Sequence, residues 1–174
     1  MEYVFTLKYQ LADEDRDHEQ IVERLFEAGC DDATIGVGQP GRIALTFRRD
    51  GADAWSVIHS ALHDVKKALP TARLVEAGPD FVGLTDVADL AGVTRQNMRK
   101  LMLAHASRFP LPVHEGSASV WHLSDVLAWM MGRGSYPISA NLVDIAKATK
   151  QVNLAKEARQ IEPRLNRQLV SLLA

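Results

Sequence analysis

Residues 84–130 constrain the fold of this chain more than any other stretch, because two short helical patterns flank a single glycine there. Thr85 is expected to cap the first helix. The apolar residues of that helix are Val87, Ala88, Leu90 and Ala91. Gly92 is expected to end it in the left-handed backbone region, and Thr94 then predicts the N-cap of a second helix. Two helices joined this closely predict a helix-turn-helix unit.

The second helix carries polar side chains opposite its apolar residues, Met98, Leu101 and Met102. The polar set consists of Arg95, Gln96, Asn97, Arg99 and Lys100. Arginine, lysine, glutamine and asparagine are the side chains that pair with base edges and phosphates in a major groove. We therefore expect this face, together with Thr94, to contact double-stranded DNA.

Three further motifs follow the second helix in a fixed order. They are Phe109-Pro110-Leu111-Pro112-Val113, a glycine-containing run from His114 to Trp121, and a helical run from Leu123 to Met130. With Thr94-Arg95-Gln96-Asn97 before them, this order resembles the winged-helix domain of the AlpA and excisionase-like regulators, relatives of the MerR group. The resemblance spans 47 residues and implies a winged helix-turn-helix that binds DNA in transcription regulation.

The wing of that family usually carries an arginine or a lysine. The corresponding run here, Gly116-Ser117-Ala118-Ser119, has neither. His114, Ser117 and Ser119 are then the side chains expected to donate hydrogen bonds to phosphates from the wing.

The net charge of −2 conceals a split between the two halves. Residues 1–80 hold 9 basic and 15 acidic side chains, a balance of −6, whereas residues 81–174 hold 11 and 7, a balance of +4. Such an asymmetry is typical of a chain in which one half meets nucleic acid. One cysteine, no signal-peptide pattern and no long apolar run predict a cytoplasmic, nucleoid-associated protein that makes no membrane contact.

Residues 1–79 predict a ferredoxin-like α+β domain. The expected order is a strand over 3–9, a helix over 15–28, strands over 33–37 and 43–47, a helix over 52–69 and a strand over 72–77. The residues expected to face inward from the helices are Ile21, Val22, Leu25 and Phe26 in the first, and Trp55, Ile58, Leu62 and Val65 in the second. The fold alone does not name a function for this domain.

Two patterns in this half resemble sites but favour plain structural interpretations. Gly36 to Gly41 matches G-x-G-x-x-G, yet a strand rather than a helix follows, so a hairpin turn is predicted. His59 and His63 have a zinc-compatible spacing without a third ligand, so a partly solvated helix face is favoured. No grouping of nucleophile, base and orienting residue is evident. We expect no enzyme activity, no cofactor and no metal.

The domain containing the helix-turn-helix is expected over 82–134, after a linker at Gly78-Pro79-Asp80 and before a break at 132–137. Ser139 is expected to cap a long helix within a tail over 138–174, and Pro163 to kink or split it near Arg159. Its apolar residues recur at three or four positions: Leu142, Ile145, Ala148, Val152, Ala155, Ala158, Ile161, Leu165, Leu169 and Leu172. This stripe either pairs two chains, which we favour, or folds back on its own domain.

These parts predict a sequence-specific regulator that binds DNA as a homodimer or higher homo-oligomer. One alternative is an antitoxin-type protein, in which the N-terminal domain neutralises a protein partner and the winged helix autoregulates. Another is an accessory factor of recombination or DNA packaging that bends DNA.

Overall fold

The computed structural model describes residues 1–15, 17–134 and 136–173, and in these ranges it contains a four-stranded antiparallel sheet, a two-stranded sheet and seven helices. The elements of the four-stranded sheet come first in the chain. The strands of this sheet are β1 (Glu2–Gln10), β2 (Ala33–Val37), β3 (Arg42–Asp50) and β4 (Arg73–Gly78), in the spatial order β2-β3-β1-β4. The predicted turn at 36–41 joins β2 to β3, and Gly41 adopts a φ of +72° there. Of the helices in the described ranges, none combines the length and the apolar composition that crossing a bilayer requires.

Within residues 1–79, two helices pack on one face of this sheet, α1 (His18–Ala28) and α2 (Ala54–Ala68). Asp17 caps α1 by accepting hydrogen bonds from the Glu19 and Gln20 amides, so the helix begins later than the expected residue 15; Arg16 lies outside the described residues. The order of strands and helices over residues 1–79 is the predicted one.

The inward faces of these helices are narrower than predicted. Ile21 and Leu25 are buried, but Val22 and Phe26 are 43% and 65% exposed, and in α2 Trp55 is 55% exposed. The next residue along a helix is rotated by about 100°, and only the row at i and i+4 from Ile21 meets the sheet. The prediction that Val22, Phe26 and Trp55 face inward is therefore wrong.

The two faces of the sheet have different environments. The odd-numbered residues of β1 are buried with Phe47 of β3, whose ring stacks on Phe5 at 5.1 Å between centroids. The opposite face carries a hydrogen bond of 3.0 Å between the hydroxyls of Thr6 and Thr46 and is partly exposed. Strands of this kind, with one packed face and one solvated face, are typical of antiparallel sheets.

The middle of the chain forms a second hydrophobic core. It contains β5 (Phe81–Val82), α3 (Leu84–Leu90), α4 (Arg95–Ala104), β6 (Trp121–His122) and α5 (Leu123–Met131). Strands β5 and β6 pair antiparallel, so the segment before α3 is held beside the segment before α5. Val87, Met98, Val126, Leu127 and Met130 are among its fully buried apolar side chains.

The C-terminal region contains two helices, α6 (Ala140–Ala158) and α7 (Pro163–Val170). Ser139 caps α6 by accepting a hydrogen bond from the Leu142 amide, and the helix ends at Arg159 before Pro163, both as predicted. Before it, Gly134 has a φ of +69° within the predicted break at 132–137; Ser135 of that break lies outside the described residues.

Helix α6 belongs to both hydrophobic cores. Ile145, Ala148 and Val152 pack with the sheet, whereas Val143 and Ala146 pack with the second core. The first part of the apolar stripe of residues 142–172 is therefore buried inside its own chain, and the residues of that stripe in and around α7 are exposed. Pairing between chains stays a prediction. Of the apolar residues in the stripe, those in and around α7 are exposed enough to take part in it.

A buried polar network joins α6 to the segment between the cores. The Asn153 side chain accepts a hydrogen bond from the Ala77 amide at 2.8 Å, and donates to the Ala77 carbonyl at 2.8 Å and to the Asp80 carboxylate at 2.7 Å. The other carboxylate oxygen of Asp80 lies 2.7 Å from Nδ1 of His122. The Thr149 hydroxyl donates to the Pro79 carbonyl at 2.6 Å. The predicted linker at 78–80 is thus part of a packed junction.

Candidate nucleic-acid interface

The α3–α4 pair is held by its turn and its caps. Gly83 is the N-cap of α3, and its amide donates to the Asp86 carboxylate at 2.7 Å, so Thr85 lies inside the first turn and not at the predicted cap position. Gly92 has a φ of +65° after α3, a conformation that glycine adopts at little cost. The Thr94 hydroxyl accepts from the Asn97 amide at 3.2 Å and caps α4 as predicted.

The orientation of α4 is fixed by one buried row of side chains. Met98 is fully buried in the second core, with Leu101 and Met102 partly buried against the same core. Because the core holds α4 along this row, its opposite face points into solvent. Arg95, Gln96, Asn97, Arg99 and Lys100 are all exposed, which agrees with the predicted outer face.

The exposed polar residues of α4 divide by direction. At 100° per residue, Gln96 and Lys100 point most directly away from Met98, while Arg95 and Arg99 lie on one flank and Asn97 on the other. Within the described ranges, no carboxylate forms an ion pair with the three basic side chains of this face. Their donors are therefore available to an external acceptor.

The loop over residues 114–120 faces the Arg95 flank of α4. His114 and Val120 form an antiparallel bridge at its base, with hydrogen bonds of 3.3 Å from the His114 amide and 3.0 Å from the Val120 amide. Together with Arg95 and Arg99, Ser117 and Ser119 line a depression of about 500 Å³ between this loop, α3 and α4. The structure thus brings together four of the predicted contact residues, while His114 is exposed at the base of the loop.

Two aromatic contacts hold the 114–120 loop in place. Phe109 is buried edge-on against Trp121 and Trp129, with ring centroids 5.8 Å and 4.9 Å apart. The Trp121 indole donates to the Pro110 carbonyl at 3.0 Å. The Phe-Pro-Leu-Pro-Val segment therefore anchors the loop to α5 through its first two residues.

The positive charge is distributed differently from the sequence-based expectation. Residues 81–134 contain five basic and four acidic side chains, a balance of only +1. The remaining excess lies in residues 136–173, where Lys150 forms hydrogen bonds of 2.7 and 2.8 Å with Asp125. The C-terminal half is more positive than the N-terminal half, as counted from the sequence. Most of its excess positive charge, however, lies on and between α6 and α7 and not in residues 81–134, which include α4.

Sequence reasoning missed the groups that fix this interface relative to the sheet. Three polar residues that bond to one another lie far apart in the sequence: Asp80, His122 and Asn153. Each is a single polar residue near an apolar segment, so no sequence pattern indicates that they meet. Leu103, 61% exposed, extends the outward face of α4 beyond the predicted polar set.

The described ranges hold no group of three or more histidine, cysteine, aspartate or glutamate residues close enough to ligate a metal ion. The chain was also compared with known proteins. No family model, curated protein or solved structure matches it.

Proposed function

We propose that the protein is a sequence-specific DNA-binding regulator that acts as a dimer, with a winged helix-turn-helix over residues 82–134 and a ferredoxin-like domain over residues 1–79. The observation that carries the proposal is the outer face of α4. It presents five exposed polar side chains, its cations lack carboxylate partners in the described ranges, and the 114–120 loop adjoins it as a wing.

A helix of this kind fits the major groove of B-DNA, which is about 12 Å wide. In that position Gln96 and Lys100, at the centre of the outer face, are directed towards base edges. Arg95 and Arg99 lie between the helix and the wing, where the backbone at the groove edge passes. Ser117 and Ser119 add hydroxyl donors for the phosphates there. The wing supplies no cation of its own, so phosphate binding on this side depends on the two arginines.

Two copies would place two α4 helices on half-sites about 34 Å apart, one turn of the duplex. Occupancy of such a site blocks or positions polymerase. The acidic N-terminal domain, with its balance of −6, is repelled by the duplex and faces away from it in this arrangement.

One observation supports a second candidate function, that of an interaction protein of the antitoxin type. The open face of the sheet carries a mixed set of residues, and it continues into a depression of about 640 Å³ that reaches α3. Val4, Thr6 and Lys8 line this depression from β1, and Asp89 and Leu90 from α3. A partner protein bound there would touch the sheet and the DNA-reading unit at once.

The test is selection of bound duplexes from a random pool by the full-length protein, followed by titration of the selected site. We expect Gln96→Ala to cost about 1–3 kcal/mol on the selected site and to relax its sequence preference. Arg99→Ala should weaken binding to all sequences alike and reduce the slope of log K against log salt by about one unit. Lys67→Ala, an exposed cation on α2, is the matched control and should change neither quantity.

Absence of any enriched sequence would refute sequence-specific binding. Equal affinity of the wild type and the Arg95→Ala/Arg99→Ala variant would refute the assignment of α4 as the DNA-contacting helix. Capture of a defined protein partner that Thr6→Glu abolishes, in a protein that selects no DNA, would favour the second candidate.

A further inference from the structure

Helix α1 carries an apolar patch that nothing in the described ranges covers. Val22 and Phe26, one turn apart, are 43% and 65% exposed. They lie in a shallow depression of about 830 Å³ whose other lining residues are His18, Glu19, Glu23 and Glu27. We name these six residues the α1 patch. An exposed apolar surface with a charged rim is typical of a protein contact site.

Helix α7 carries a second uncovered apolar surface. Ile161, Leu165, Leu169 and Leu172 recur at three- and four-residue spacing and are 42%, 49%, 42% and 78% exposed. No residue from 157 to 173 is buried or half-buried, so α7 projects from the molecule. We name the four residues the α7 stripe. A lone amphipathic helix of this length gains its stability from packing against a partner.

The two surfaces are complementary in charge. The rim of the α1 patch has three glutamates and no basic residue apart from His18. Beside the α7 stripe, Arg164 lies on one flank of the helix, and Arg159 precedes the stripe in the connection from α6. None of these glutamates and none of these arginines forms an ion pair with another of the described residues. Apolar contact and charge attraction therefore favour the same pairing.

We propose that α7 of one copy docks on the α1 patch of a second copy, and that the exchange is reciprocal, giving a two-fold dimer. The direction of docking follows from the sequence. On α1 Glu23 follows Val22 and Glu27 follows Phe26, whereas on α7 Arg164 precedes Leu165. The charged rows therefore lie on opposite flanks of their apolar rows. Parallel helices bring opposite flanks together, so α7 runs parallel to the partner's α1.

The α1 patch and α7 of the same chain do not cover each other, because both surfaces are exposed in the described ranges. A second copy supplies a cover for each of them.

Reciprocity matters for the size of the interface. A stable interface buries at least about 1,200 Å² in total, more than one short helix supplies. The two-fold arrangement contains the helix contact twice. This inference concerns assembly alone and is independent of whether the dimer binds DNA.

The first test measures the dimer dissociation constant of the full-length protein by sedimentation. Phe26→Ser and Leu169→Ser should each weaken the dimer by roughly a hundredfold, because each substitution acts twice in a two-fold dimer. Leu111→Ser changes a residue that is 87% exposed and lies outside both surfaces, and should leave the dimer unchanged. Circular dichroism checks that all variants are folded. A full-length protein that stays monomeric at about 100 μM overturns the proposal, as does an unchanged dimer in Phe26→Ser, which indicates that α7 pairs with another α7.

A charge exchange tests the parallel docking. Glu23→Arg and Arg164→Glu should each weaken the dimer, and the double variant, in which the ion pair is reversed, should bind at least about tenfold better than either single variant. Equal weakness of the double variant would refute the proposed contact. Mixing Phe26→Ser with Leu169→Ser should restore a part of the dimer, because one of the two contacts in the mixed pair is intact. No restoration on mixing would equally count against the exchange.

Discussion

Replacing Asn153 with leucine removes the three hydrogen bonds by which α6 holds the segment between the two cores. Leucine has the same branching and the same number of side-chain heavy atoms as asparagine, although its methyl groups are larger, so the change removes the polar atoms without leaving a cavity. It leaves the Ala77 amide, the Ala77 carbonyl and one oxygen of the Asp80 carboxylate without their partner, in a place where Asn153 and Asp80 are each 1% exposed. Water cannot replace the lost bonds without opening the junction.

The expected loss follows from these three groups. An unsatisfied buried neutral group costs about 1–3 kcal/mol and a charged one more, while the added apolar side chain returns about 1–2 kcal/mol. Summed over two neutral groups and one charged group, the net loss is at least about 2 kcal/mol, a sizeable part of the roughly 5–15 kcal/mol that stabilises a typical domain. With a urea slope of about 2 kcal/mol per molar, the unfolding midpoint should fall by at least about 1 M.

The assay is urea unfolding followed by far-ultraviolet circular dichroism and by tryptophan fluorescence, with Gln151→Leu as the control. Gln151 is exposed on the same helix two residues earlier, so its change should shift the midpoint by less than about 0.3 M. Because α6 belongs to both cores, the two probes should report one transition in the wild type. An Asn153→Leu midpoint within 0.5 M of wild type (about 1 kcal/mol) would refute the role given to the network.

Three further outcomes are expected. Ending the chain at Ala158 should leave both cores folded, with the unfolding midpoint that the full-length protein has at concentrations where it is monomeric. Deleting residues 139–174 uncovers both cores and should give a product that proteases degrade rapidly. Burial raises the pKa of the Cys30 thiol from 9.0 to about 11, so the unfolded chain loses this proton first. Stability should therefore fall as pH rises from 9 to 11, and Cys30→Ala should flatten that fall in urea titrations. Phe109→Ala should cost about 3 kcal/mol in thermal unfolding and, by loosening the 114–120 loop, weaken DNA binding without changing the preferred sequence.

Local signals explain what the sequence predicted well. Alternation in residues 3–9 sets which face of β1 is buried, and Gly92 with Thr94 sets the turn between α3 and α4 through backbone geometry and capping. The exposure of the α4 polar residues follows from the apolar row at Met98 on the same short helix. Each of these inferences needs only residues within about one helical turn or one strand.

Most of the failures involve distant partners; the cap predicted at Thr85 is a local exception, because the helix begins after Gly83, whose amide donates a hydrogen bond to Asp86. Val22 and Phe26 fit a broad amphipathic pattern, and only the position of the sheet decides which edge of that pattern is covered. Helix α6 has apolar residues in two directions because it lies between two cores, and the predicted stripe omits Val143 and Ala146, which face the second of them. The net charge of each half of the sequence does not tell which helix carries the positive charge, α4 or the pair α6 and α7. A charge count follows the order of the chain, whereas binding depends on where the charges lie in space.

The position of α6 has a consequence for synthesis of the chain on the ribosome. The sheet is complete once residue 78 has been made, but Ile145, Ala148 and Val152, which finish its core, come about 70 residues later. At about 5–20 residues per second, this interval lasts several seconds, during which apolar surface of β1 and β4 has no permanent cover. A nascent chain of this protein therefore holds its first domain open until the second has been synthesised, and this is the period in which a chaperone would bind it.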